Sequence, residues 1–405
     1  MMTLSTQEII ALGQKHLLGN VGRQPLALAR GQGTRVWDAE GREYLDFVAG
    51  IATCAFGHAP AFAAEVLARQ AGTLWHVSNL YWNEPLVRLA ELLTRASGLD
   101  KAFFCNSGAE ANEAAIKMAR KHSFDRHGPG RHGIIAAQNS FHGRTMGAIS
   151  ATGQESLHQG FQPMLPGFTF VPFGDSASIA AAIDGTTCAV MLEPVQGEGG
   201  VKVPPEGYFR EVAALCREKG LLLILDEIQT GLGRTGLDFA FRHFGVTPDL
   251  VTVGKALGCG YPVGALLSAA EPSRALTPGS HSTTVGGAPL AMALSLELAS
   301  RILDAGFLAG VRERGAFFLE GLNGLKRQFP RLVLEARGLG LMLGLSLSQP
   351  SGPVSEALRE KGFLVNATAS TVLRFVPPLT VGLDEIEAIL GALAQVLPEA
   401  YPGQC

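Results

Sequence analysis

LLLILDEIQTGLGRTG (221–236) and DLVTVGKALGCGY (249–261) decide the fold of this 405-residue chain. Five apolar residues, Leu221 to Leu225, end on Asp226 and Glu227. A second apolar run, Leu250 to Val253, ends on Gly254 and Lys255. Short continuous apolar runs bounded by turn signals read as buried strands of a parallel sheet. Two such strands deliver an acid and a lysine to one sheet edge, at their carboxyl ends, where open α/β sheets bind ligands. A buried acid facing a buried lysine across a crevice is costly unless something lies between them.

Upstream, the chain keeps the same rhythm from Lys101 onward. KAFFCNSGAEANEAAIKMARKHS (101–123) reads as a strand, a Ser-Gly turn and a long helix. IIAAQNSFHGRT (134–145) begins with a strand, and TTCAVMLEPVQGEGG (186–200) has a strand ending at Glu193-Pro194. A helix over Tyr208–Lys219 leads into the aspartate strand. Alternating strands and helices predict an α/β fold, a parallel sheet with helices on both faces. Before Lys101, PLALARGQGTRVWDAEGREYLDF (25–47) predicts a small antiparallel sheet. The glycine-punctuated FVAGIATCAFGHAP (47–60) is a candidate for lining a pocket. Past Gly286 the texture changes. A helix from Pro289 to Ala305 stopped by Gly306, a second helix to Phe329, VLEARGLGLMLGLSLS (333–348), FLVNAT (363–368), TVLRFVPP (371–378) and a last helix from Leu383 predict a smaller α+β domain. The expected division is 1–45 as the N-terminal part of the small domain, 46–300 as the large domain and 301–405 as the rest of the small one.

Composition sets the class. Hydrophobic residues make up 47% and charged residues 17%, so the chain buries a large core. The net charge is −3 without a basic run, which argues against nucleic acid as a partner. Six scattered cysteines with no CxxC pair point to a reducing compartment and away from a zinc or disulfide framework. Ser5 and Glu8 are spaced as a capping box for a short first helix, not as part of a secretory signal. No apolar stretch reaches the roughly 20 residues of a membrane span. A cytoplasmic protein is expected.

The chemistry centres on Lys255. A lone lysine at a loop start is ordinarily a surface residue. Asp226, on a strand of the same kind, changes that reading, and pyridoxal phosphate between the two accounts for both. Burial lowers a lysine pKa, which a Schiff-base amine needs. The acid would pair with the protonated pyridine nitrogen and keep the ring an electron sink. Ser107, Gly108 and Ala109 form a small turn at a helix N-terminus, where free N–H groups attract a phosphate, though Ser107 alone reads as an ordinary N-cap. Phe141 could lie on the ring, and Arg144 could hold a substrate carboxylate. Glu198, in the loop from Glu193, and Arg374, in the second domain, could face the cleft or be solvated charges.

Two patterns point elsewhere. Gly231, Gly233 and Gly236 spell GxGxxG after a strand, the mark of a dinucleotide site and hence of a nucleotide-binding oxidoreductase. The two acids ahead of them would repel a pyrophosphate, and LDFAFRHFG (237–245) is too short and aromatic for the required helix. His122, His127 and His132 are interrupted by Gly and Pro and read as a solvated loop, not a metal site.

Taken together, NSGAEANEAAIKMAR (106–120), SFHGRT (140–145), EPVQGEGG (193–200), LILDEIQTGLGRTG (223–236) and TVGKAL (252–257) resemble the class III pyridoxal-phosphate aminotransferases, over essentially the whole chain. The resemblance implies a fold-type-I transferase, with a mostly parallel seven-stranded-type sheet in the large domain and a smaller α+β domain. Lys255 would carry the cofactor and shuttle the proton, Asp226 would pair with the ring nitrogen, and Gln229 would reach the phenolic oxygen. Ser107, Gly108 and Ala109 would bind the phosphate, Phe141 would stack on the ring, and Thr284 would bind the phosphate of a neighbouring subunit in a homodimer. Arg144, with Thr283 nearby, would hold the donor carboxylate. Glu198 and Arg374 would form a gate, the arginine neutralised for the amino donor and released for 2-oxoglutarate. RVWDAEGREYLDFVAGI (35–51) and HVSNLYWNEP (76–85) favour the branch whose donor is N2-acetylornithine. Other ω-amino donors are the alternatives: succinylornithine, ornithine, 4-aminobutyrate or a carrier-linked lysine. Val285 and Ala288 stand where the family usually has an aromatic and an asparagine, and Cys54 where it often has a polar residue. These departures bear on substrate preference.

Overall fold

A computed structural model describes residues 4–404. Its centre is a seven-stranded sheet in the order Lys101–Cys105, Gly264–Ser268, Leu250–Val253, Leu222–Asp226, Thr187–Leu192, Gly133–Ala137, Phe168–Val171. Gly264–Ser268 runs antiparallel to both its neighbours, and the other recorded pairings are parallel. The sheet is therefore mostly parallel.

The continuous apolar runs follow from burial on both faces. Side chains alternate across a strand, so Leu222 and Ile224 enter one hydrophobic cluster while Leu223 and Leu225 enter the other. The first cluster is closed by the long helix Gly108–His127, through Ala115, Ile116 and Ala119. The second is closed by the helix Tyr208–Lys219, through Phe209, Val212 and Cys216. Every residue of Thr187–Leu192, Leu222–Asp226 and Leu250–Val253 is buried. Each such aliphatic side chain contributes roughly 1.5–3 kcal/mol, so a polar residue inside these strands would break the sheet where the site is built.

Two smaller sheets flank the core. One pairs Leu28–Gln32, Arg35–Asp38 and Glu43–Asp46 with Phe363–Leu364 from the far end of the chain, through Leu45↔Phe363 and Asp46↔Leu364. The other is formed by Val333–Leu339, Met342–Leu347, Val372–Phe375 and Asn366–Thr368. The first helix, Thr6–His16, carries the expected capping box: Ser5 N donates to Glu8 Oε2 at 2.8 Å, and Glu8 N donates back to Ser5 Oγ at 3.3 Å. Among the described residues, no helix is long and apolar enough to cross a membrane.

Two expectations are corrected. The helix from Pro289 ends at Ile302, and Gly306 is not its cap. Asp304 starts a new helix there, Ala305–Gln328, by accepting from Phe307 N at 2.9 Å. The segment 47–60 does not line the cavity at the carboxyl ends of the strands. Phe47 packs edge-on against Phe318 and Phe375, and Leu379 N donates to Ala55 O, so this stretch joins the core of the C-terminal region. The glycines of GxGxxG belong to the same seam: Gly233 lies against Ile302, Leu308 and Leu379, and Gly236 against Arg312. Side chains there would collide with the C-terminal helices, which explains the glycines without a nucleotide.

Candidate active site

Five strands send their carboxyl ends to one cavity of about 320 Å³. It is lined by residues that follow each strand: Gly108 and Ala109 after Lys101–Cys105, Phe141 to Arg144 after Gly133–Ala137, Glu193 and Glu198 after Thr187–Leu192, Asp226 and Gln229 from the aspartate strand, and Lys255 after Leu250–Val253. The aspartate and lysine strands are parallel neighbours, with Asp226 level with Thr252. Lys255 comes three residues further on, in left-handed backbone at φ +42°. For a residue with a Cβ such backbone costs of order 1–3 kcal/mol and collects at functional sites.

Asp226 is buried and held on three sides. Ile228 N donates to Oδ1 at 3.0 Å, and Oδ2 accepts from Asn112 Nδ2 at 2.8 Å and from His142 Nδ1 at 2.7 Å. Thr252 Oγ1 donates in turn to Asn112 Oδ1 at 2.8 Å. A carboxylate has about four acceptor positions, so one is left. Burial works against a charged imidazole at His142, but the hydrogen bond to Asp226 and the charges of Asp226 and Glu193 outweigh it and raise its pKa. Burial, aided by the charge of Arg374, pulls Lys255 from 10.5 down to about 8, against the carboxylates of Glu198, Asp226 and Glu193. Glu193 is pushed up to about 7, first by burial.

Ser107 caps the helix Gly108–His127, its Oγ accepting from Glu110 N at 3.2 Å. Gly108 and Ala109, in that first turn where a helix leaves its N–H groups free, line the cavity. A Cβ on Gly108 would come within 2.7 Å of Ile228 Cδ1, so only glycine lets the turn sit this close to the aspartate loop. Phe141 is half-buried and lies on a loop four residues past the end of its strand. Arg144 is exposed, its guanidinium carbon 5.2 Å from the Phe141 ring centroid. Gln229 is buried, and its Oε1 has no hydrogen-bond partner.

Arg374 is fully buried on the strand Val372–Phe375. Its Nη1 donates to Glu198 Oε1 at 2.6 Å and its Nη2 to Asn366 Oδ1 at 2.6 Å. Thr283 and Thr284 are not brought to this cavity. Thr283 Oγ1 accepts from Asn106 Nδ2 at 3.0 Å, and Thr284 is exposed. Of the three positions flagged for substrate preference, Val285 is exposed, while Cys54 and Ala288 are half-buried. The sequence reading gave no role to His142, Asn112, Thr252 or Glu193. The only available signal for these four was their place inside the motifs already quoted.

A doubly wound α/β sheet with a half-buried lysine and a buried, hydrogen-bonded aspartate at its carboxyl edge defines an enzyme of the fold-type-I transferase class. The sequence matches the family Aminotransferase class-III over residues 18–397. Similar proteins include the acetylornithine aminotransferase of Caldanaerobacter subterraneus subsp. tengcongensis, 48% identical over 96% of this chain and 99% of its own length. The N-acetylornithine aminotransferase structure from Stenotrophomonas maltophilia has a TM-score of 0.83 at 37% identity, covering 96% of this chain and 98% of that one. The ornithine aminotransferase structure from Toxoplasma gondii has a TM-score of 0.94 at 32% identity, covering 98% and 96%. The chain belongs to the class-III aminotransferases.

Proposed function

We propose that this transaminase holds pyridoxal phosphate in the cavity and moves the side-chain amino group of N2-acetylornithine to 2-oxoglutarate, giving N-acetylglutamate semialdehyde and glutamate. The observation that carries the proposal is the pair Asp226 and Lys255 facing one cavity from adjacent parallel strands. The surrounding residues fit the cofactor. Asp226 retains one acceptor position for a ring N–H, Gln229 Oε1 has no partner of its own, and Gly108 and Ala109 offer a helix N-terminus for the phosphate with Ser107 as its cap. When bound, the cofactor supplies an electron sink for the carbanion formed at the donor carbon.

The chain's residues do the rest. Lys255, with its pKa near 8, is an amine that can be neutral at working pH and so can attach the cofactor and later move a proton. His142 and Asn112 fix the Asp226 carboxylate. Phe141 forms one wall beside the ring position. Arg144 is assigned to the carboxylate of the donor and Arg374 to that of 2-oxoglutarate, with Glu198 neutralising Arg374 while the donor is bound.

A homodimer completes the reading. Trp75, Leu80, Tyr81 and Trp82 are 64%, 83%, 67% and 89% exposed, which suits a face covered by a second copy. Thr284 would then reach the phosphate, and Thr283 the donor, of the neighbouring site. The pairing of residues 45–46 with 363–364 supports taking 1–45 and 301–405 together as the small domain beside 46–300. Five unpaired cysteines among the described residues suit a reducing, cytoplasmic setting.

Ornithine is the competing donor, because ornithine aminotransferases stand among the structural neighbours. Single half-reactions with a panel of amines decide between them. N2-Acetylornithine should bleach the visible band fastest. Equal rates with unacetylated ornithine would count against the acetylated donor.

A further inference from the structure

Glu193 stands at the first position past the strand Thr187–Leu192. The register Leu192↔Leu225 makes it the neighbour of Asp226 on the sheet edge. It is 7% exposed, lines the cavity, and no ion pair includes it. Its two oxygens serve different segments: Oε1 accepts from Phe141 N at 3.0 Å and Oε2 from Gly197 N at 3.2 Å. The first amide belongs to the loop carrying Phe141 and Arg144. The second precedes Glu198. The Glu198 loop is also held from the C-terminal side: Thr368 Oγ1 donates to Glu198 O at 2.9 Å and Arg337 Nη2 donates to Gly200 O at 2.6 Å.

We propose that Glu193 is a positioning residue that latches the Phe141–Arg144 loop to the Glu198 loop, so that one carboxylate sets both walls of the pocket. Its role as a tie between a donor wall and an acceptor wall rests on the function proposed above. The latch itself rests on the two hydrogen bonds. Burying a carboxyl beside Asp226 is costly, and Glu193 is pushed up to about 7 by that burial. Packing alone would be served better by an apolar side chain. What an apolar residue cannot do is accept from two backbone amides 56 residues apart in sequence. A glutamine cannot do it either. Its single carbonyl accepts, while its NH2 group meets the second amide donor to donor.

Amide hydrogen exchange on the full-length protein, without substrate, tests this. In Glu193→Ala the peptides covering Phe141 and Gly197 should both exchange faster, by at least about tenfold, the factor for one hydrogen bond to a charged group. The peptide over Ala240–Phe241, whose amides are held by Glu227 instead, should be unchanged. In Glu193→Gln only one of the two loops should lose protection. If Glu193→Ala does not fold, Glu193→Gln carries the test alone. An unchanged rate in either loop of Glu193→Ala, in both loops of Glu193→Gln, or a uniform rise across the chain would overturn the latch. The positioning role is read from KM. KM should rise severalfold, more than kcat falls, for both substrates in Glu193→Ala and for the substrate of the loosened loop in Glu193→Gln. Loosened loops with both KM values unchanged would overturn that role. A wild-type protein that exchanges as described but does not transaminate would instead fault the proposed function.

Discussion

The guanidinium of Arg374 lies 2.6 Å from the Glu198 carboxylate and donates at the same distance to Asn366 Oδ1, deep inside the protein. Glu198 belongs to the loop after a core strand, whereas Arg374 belongs to the C-terminal sheet. The pair therefore joins two parts of the chain beside the cavity that Glu198 lines.

That geometry predicts a division between the two half-reactions. Arg374→Ala should cut kcat/KM for 2-oxoglutarate by about a hundredfold, the scale of a lost charge-assisted pair, and change the donor half-reaction much less. Arg144→Ala should do the reverse. Single-turnover kinetics of each half-reaction measure this directly. Parallel losses in both variants would remove the division of labour between the arginines.

The aspartate cluster makes a second prediction. Asp226→Asn keeps the shape but loses the anion that His142 and Asn112 hold. The rate of proton removal from the donor should fall by roughly 10²–10³, the usual scale for a lost electrostatic group in a dry site. His142→Gln should cost less, because Asn112 and Ile228 still hold the carboxylate. Pre-steady-state decay of the visible band reads both. A His142→Gln loss equal to that of Asp226→Asn would mean that the histidine, not the acid, carries the effect.

Lys255 should destabilise the cofactor-free protein. Its pKa is about 8 when folded against 10.5 otherwise. Below pH 8 both states bind the proton, and the folded state carries the full cost of burying an ammonium. Between about 8 and 10.5 the unfolded chain binds more protons, so stability climbs with pH. The pKa difference corresponds to of the order of 3 kcal/mol. Lys255→Met should therefore raise Tm at pH 7 without cofactor, and the gain should shrink above pH 8 and vanish above about 10.5. Denaturation of both proteins across pH checks it. A gain independent of pH would show that the charge is not its source.

The strands and their terminal acid and lysine were legible because burial on both faces demands continuous apolar runs, and the charged residue that interrupts each run marks its edge. The capping box at Ser5 was legible for a similar reason, being set by neighbours three residues apart. Glu193 was not, because a glutamate before proline and glycine looks like a turn, and its partners Phe141 and Gly197 meet only in the fold. The glycines after Asp226 could be set aside as a nucleotide motif but not explained, for the same reason: what Gly233 and Gly236 accommodate, Ile302, Leu308 and Arg312, lies about 70 residues away. Asp304 decided a helix boundary against Gly306, since an N-cap for the next helix outweighs a glycine inside its first turn. Thr283 and Thr284 lie outside the cavity of a single chain, and the role expected of Thr284 needs a second copy.

The central claim is that Lys255 carries the cofactor opposite Asp226. The direct measurement is borohydride reduction of the protein loaded with pyridoxal phosphate, followed by peptide mass analysis. The protein should be yellow before reduction, and the cofactor mass should appear on the peptide containing Lys255 alone. A protein that stays colourless with added pyridoxal phosphate, or a label fixed on another lysine, would contradict the account.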